Sequence, residues 1–135
     1  MPELVDRDAG FCGALEDAVD GGARVWRAEQ IPQDGFRAPS VVFAGEDEPI
    51  NALAASTGVG KATYTVRCYG TDEANSVALQ QAIWDALNSK REVGGATWWL
   101  GSDVTGMRAF AEVDQQTGEV LARGRELTVV VMYRR

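Results

Sequence analysis

The chain has 135 residues, 45% of them apolar, with glycine and proline scattered, which describes one globular domain spanning 1–135 and argues against a disordered or split chain. Its net charge is −7, which argues against a tight nucleic-acid wrap, since an acidic surface repels phosphate. There is no histidine, which removes the commonest neutral-pH base, the commonest zinc ligand and every Ser-His or Cys-His nucleophile pair.

The N-terminus, Met1-Pro2-Glu3-Leu4-Val5-Asp6, lacks the basic start and apolar stretch of a signal peptide, and no apolar run reaches the ~18 residues of a bilayer span. No membrane role is therefore expected. Leu4, Phe11, Leu15, Ala18 and Val19 share one arc at 100° per residue, with Cys12 at its margin. That periodicity predicts a helix with Pro2 in its first turn and Gly21-Gly22 as its stop. Gly10 and Gly13 lower its intrinsic stability, so packing must support it.

Arg24-Val25-Trp26-Arg27 reads as a short strand, residues 30–39 as a connection, and residues 40–44 as a buried, β-branched strand. Glu46-Asp47-Glu48-Pro49 is expected to end that strand as a solvated acidic loop. A tip of small, uncharged residues then runs through 49–59. Residues 61–69 alternate: Ala62, Tyr64, Val66 and Cys68 on one face, Thr63, Thr65, Arg67 and Tyr69 on the other. The second face meets solvent or a partner. The two strands flanking the 49–59 tip should form a long antiparallel hairpin.

Thr71 is a plausible N-cap for a helix running to about Asn88, with Asp72 and Glu73 placed for its dipole. Leu79, Ala82, Ile83, Ala86 and Leu87 define its core face, and Val77 and Trp84 a second apolar strip. Trp84 is expected to pack against the first helix in preference to another subunit. Trp98 and Trp99 follow in a glycine-interrupted stretch. If extended, they point to opposite faces and one meets solvent or a partner; if the segment turns, both are buried.

Two strands, 107–113 and 125–133, close the chain through Asp114-Gln115-Gln116-Thr117-Gly118. The last is apolar on both faces, with Leu127, Val129, Val131 and Tyr133 on one and Val130 and Met132 on the other. Such a strand is central or covered by a neighbour. The order predicts an α+β fold: a single antiparallel sheet of four to five strands with two helices on one face.

Tempting chemical motifs fail on inspection. Gly58-Val59-Gly60-Lys61 resembles the end of a phosphate-binding loop, but Ala55 stands where its first glycine belongs and Ala62 where its Ser or Thr belongs. Glu46, Asp47 and Glu48 lack the alternating spacing of a calcium loop. Cys12 and Cys68 lie far apart with no metal-ligand spacing and read as apolar side chains. No base stands beside a nucleophile, so no catalytic residue, metal or cofactor is expected.

One resemblance remains. Arg24-Val25-Trp26, Ile31-Pro32 and Ala38-Pro39-Ser40-Val41-Val42-Phe43 resemble the opening of phage tail-completion (tail-terminator, head-to-tail joining) proteins. The strand 62–70, leading through Asp72-Glu73-Ala74 into Leu79-Gln80-Gln81-Ala82-Ile83-Trp84-Asp85-Ala86-Leu87, is similar to that family's strand-to-helix segment. Leu127-Thr128-Val129-Val130-Val131-Met132-Tyr133 is similar in kind to its last strand. Residues 93–106 have no counterpart.

The resemblance implies a non-enzymatic virion protein assembled in the host cytoplasm. It forms a ring, typically of six copies, that caps the tail tube and meets the head connector while DNA passes through without tight binding. A neck or head-completion subunit, a stand-alone small-ligand or peptide-binding module, and a carboxylate enzyme are the alternatives; the last two predict a pocket. On the ring reading, Arg67, Tyr69, Trp98, Trp99, Val130 and Met132 are the candidates for a subunit or tube interface. Glu46, Asp47 and Glu48 are the candidates for the channel wall, where acidic groups keep phosphates moving. The 49–59 tip is expected to touch the tube or a neighbouring subunit.

Overall fold

A computed structural model describes residues 4–19, 23–28, 39–48, 59–89 and 99–134. In chain order the elements are helix α1 (Leu4–Val19), strands β1 (Arg24–Arg27), β2 (Ser40–Glu48) and β3 (Val59–Tyr69), helix α2 (Glu73–Leu87), and strands β4 (Trp99–Val113) and β5 (Val120–Arg134). The strands form one five-stranded sheet in the order β1-β2-β3-β5-β4. β5 is therefore internal, one of the two situations expected for a strand apolar on both faces.

The alternation read in 61–69 decides which face is buried. Ala62, Tyr64, Val66 and Cys68 have no exposed surface, and they join Val41 and Phe43 of β2 and Leu127, Val129 and Val131 of β5 in one cluster. Phe11, Ala14, Leu15 and Val19 of α1 and Leu79, Ile83 and Leu87 of α2 complete it, so both helices lie on the same face of the sheet. At its centre the Phe11 and Tyr64 rings stack at 3.9 Å between centroids, with Phe43 edge-on to Phe11 at 5.4 Å. Gly45 sits opposite Tyr64 in register, and a Cβ there would lie 2.5 Å from the tyrosine ring. The strand needs glycine at that point because the ring is held from the other side by Phe11. Trp84 is half-buried and packs against this cluster.

Several sequence expectations are corrected. The sheet is mixed in one pair, since β1 and β2 run parallel, while the expected α+β arrangement of one sheet with both helices on one face holds. β2 does not end at Ala44 but runs through Glu48, so Glu46, Asp47 and Glu48 belong to a strand and not to a loop. Their backbone pairs with Thr63, Ala62 and Lys61 across the expected antiparallel hairpin, which offsets the poor strand preference of an acidic run. The N-cap of α2 is Asp72 and not Thr71: its Oδ1 accepts from the Asn75 backbone N–H at 2.7 Å.

The closing strands are far longer than 107–113 and 125–133, at 15 residues each. β4 absorbs its glycines through register shifts between Trp99 and Gly101 and between Val104 and Gly106, which breaks the sequence alternation there. Ser102 is buried and donates to the Leu87 carbonyl at 2.7 Å, tying β4 to the end of α2. The β4–β5 turn is closed by Asp114, whose Oδ1 accepts from the N–H of Gln116 and Thr117. Gly118 there has φ +73°, a conformation glycine adopts without strain. Trp98 and most of the 49–59 tip, 49–58, lie outside the described residues, as do the connection 30–38 and the side chains of Trp99, Glu46, Asp47 and Glu48.

Candidate assembly surface

Each strand that sends alternate residues into the core sends the others to the opposite face, which no described helix covers. Arg67 and Tyr69 of β3, Glu126 of β5 and Arg108, Phe110 and Glu112 of β4 meet there, although they come from three separate parts of the chain. Glu126 is the hub. Its two carboxylate oxygens accept from Arg67 Nε at 3.0 Å and Arg108 Nε at 2.8 Å, and its side chain is only 8% exposed. Glu112 accepts from Tyr69 Oη at 2.6 Å and from Arg67 Nη1 at 3.3 Å. The Arg67 guanidinium lies 4.7 Å above the Phe110 ring, and Phe110 meets Tyr69 edge-on at 5.3 Å.

The electrostatics follow from these distances. Hydrogen bonding from Arg108 holds the Glu126 carboxyl below the ordinary glutamate value of 4.5; burial opposes this and Arg67 reinforces it. Burial pushes the Tyr69 phenol up to about 12, helped by its hydrogen bond to the Glu112 carboxylate and opposed by Arg67. Glu126 therefore stays charged and Tyr69 protonated across the neutral range, and their hydrogen bonds fix both side chains in place.

Val130 and Met132 share this face further along β5, opposite Thr63 and Lys61. Val130 is half-buried and Met132 is 36% exposed. The surface thus has a polar-aromatic end and a mixed end, where Val130 and Met132 stand between Thr63 and Lys61 of β3 and Asp103 and Gly101 of β4, so the structure brings Arg67 and Tyr69 together while Val130 and Met132 stand apart from them. At the sheet's other margin, Ser40 and Val42 are buried on the same face beside half-buried Trp26.

Arg108, Phe110, Glu112 and Glu126 were not singled out from the sequence. The usable signal was the i, i+2 spacing of Arg108, Phe110 and Glu112, which puts them on one face of any strand. Pairing them with Arg67 and Tyr69 requires the strand order, since Arg67 and Glu126 are 59 residues apart.

The two thiols are buried to different degrees and unpaired with each other. Burial raises Cys68 to about 12, and burial with a hydrogen bond to Glu16 raises Cys12 to about 11, so both remain protonated and weakly nucleophilic. Among the described residues no group of three or more acids or cysteines could hold a metal ion, and no helix is long and apolar enough to cross a membrane.

No protein-family model and no curated protein sequence matches the chain. One similar solved structure is a chain from the virion of a native gene transfer agent particle. It is 16% identical, the match covers 89% of this chain and 82% of that one, and the TM-score is 0.48. At that overlap the likeness adds nothing to what the chain's own fold shows.

Proposed function

We propose that the chain is a non-catalytic virion subunit of the tail-completion type, which closes into a ring, typically of six copies, at the end of a tail tube and meets the head connector there. The observation that carries this reading is the one-sided sheet. Two helices bury one face, while the opposite face of the central strands presents ordered, hydrogen-bonded side chains and an exposed methionine to a partner. A stable contact buries on the order of 1,200–2,000 Å² in total, an area that the face of a five-stranded sheet can supply. In a closed ring one patch meets a different patch on the next copy, so the contact need not be self-complementary.

On this reading Glu46, Asp47 and Glu48, near the tip end of the β2–β3 hairpin, line the channel, and the tip beyond them touches the tube or the next subunit. An image of the ring with all three acids on its outer rim contradicts the first point. Unchanged capping after deletion of residues 51–58 contradicts the second.

Mass determination across a concentration series, with negative-stain imaging of the protein alone and mixed with tail tubes, tests the proposal. Rings, alone or on tube ends, are expected. A Met132→Asp variant that folds normally should lose them, because burying an unpaired carboxylate in the contact is costly. A wild-type protein that stays monomeric with tubes present overturns the reading.

A further inference from the structure

Four arginines of the β3–β5–β4 region, Arg67, Arg108, Arg123 and Arg125, divide into two kinds. Arg67 and Arg108, on the face away from the helices, are both committed to Glu126, and Arg67 also to Glu112. Arg123 and Arg125 lie on the helix side of β5, in register with Ala111 and with Cys68 and Ala109. Among the described residues no ion pair joins either of these two to an acid, and Arg125 Nε is buried with no hydrogen-bond partner. A buried donor without an acceptor is destabilising and is rarely retained without a use.

Both line a cleft of about 650 Å³ between the first turn of α2 and the distal half of β4–β5. Its floor is small because the side chains there are small: Ala109, Ala111 and two glycines. A Cβ on Gly70 would collide with the Ser76 backbone nitrogen, and one on Gly124 with the Cys68 carbonyl, so neither position can carry a side chain that fills the space. The wall facing the arginines carries Asp72 and Glu73. Both are exposed, and one carboxylate oxygen of Asp72 is already occupied by capping Asn75. The cleft's own acids thus leave the guanidinium of Arg125 unanswered.

We propose that this cleft receives a carboxylate from a second copy of the chain, held by Arg123 and Arg125. The planar guanidinium matches a carboxylate in geometry, and an acid-rich copy, with 20 Asp and Glu against 13 Lys and Arg, supplies the complementary charge. The inference rests on the ring reading, in which every subunit has a neighbour, and adds a heterologous contact on the helix side of the sheet.

Sedimentation velocity of the full chain, as wild type and as Arg123→Gln with Arg125→Met, at low and high sodium chloride, tests it. The double variant should self-associate at least tenfold more weakly and lose most of the salt dependence, while the monomer's melting temperature holds or rises because an unsatisfied donor has been removed. Equal association of variant and wild type overturns the cleft while leaving the ring intact. A wild type that does not associate overturns both. A destabilised monomer makes the arginines internal supports and contradicts the proposal. So does loss of binding to an added duplex oligonucleotide with association unchanged, which would assign the cleft to phosphate.

Discussion

The two faces of the sheet are held by opposite means. The core of the helix side is apolar and closed: Tyr64, Phe11 and Phe43 are almost wholly buried and pack ring against ring. The far side is polar and aromatic, and Glu126 is buried there by the arginines that neutralise it and not by a second layer of structure. Burial of apolar area fixes the first face by amount, whereas the second is fixed by geometry, with directional bonds between side chains far apart in sequence. A face ordered in this way keeps its shape while remaining available to a partner, which a bare hydrophobic face cannot do without inviting aggregation.

The contrast can be broken most forcefully on the closed side. Tyr64→Ala should lose about 3–5 kcal/mol in chemical denaturation, because it removes a fully buried ring and the stacking surface of Phe11. Gly45→Ala should cost about 1–3 kcal/mol by overpacking, since the ring opposite cannot retreat. A stable Gly45→Ala protein would mean that Tyr64 is less confined than its contacts indicate.

The open side should respond more weakly and with a pH signature. Glu126→Gln should cost about 1–2 kcal/mol at pH 7, moderated because Arg67 and Arg108 remain partly hydrated. The Glu126 carboxyl is held below 4.5 in the folded state, so its contribution is present above that value and is lost as pH falls beneath it. The gap between wild type and Glu126→Gln should therefore narrow in acid. Tyr69→Phe should cost about 0.5–1.5 kcal/mol at neutral pH. Because the phenol is raised from 10 to about 12, its contribution is complete below pH 10 and fades as pH rises toward 12, so the two proteins should converge there. A variant difference independent of pH would detach these residues from the network.

How far the sequence could be read divides along the same line. The closed face was legible because burial leaves a period: Ala62, Tyr64, Val66 and Cys68 alternate without a break, and Leu79, Ile83 and Leu87 recur at helical spacing. With Val130 and Met132 backing Leu127, Val129 and Val131, β5 read as central or covered by a neighbour, and the strand order makes it internal. Where bulges interrupt the period, as near Gly101 and Gly106, the first half of β4 was lost to view. Glu46, Asp47 and Glu48 were misread because their strand conformation comes from pairing with β3, a tertiary effect that outweighs their own preference. Two of the six residues of the network, Arg67 and Tyr69, were visible on a polar face. Glu112 and Glu126 were not, because complementary charges become partners only once the strand order is known.

The central claim is that the far face of the sheet is covered by another subunit, and the reactivity of a thiol placed on it tests this most directly. Cys12 and Cys68 are poor competitors, since their thiols are raised to about 11 and about 12. In a Met132→Cys protein the labelling rate by a thiol reagent should fall steeply as protein concentration rises through the range where complexes form. A rate that stays constant while complexes accumulate would place the contact elsewhere on the molecule and contradict the account.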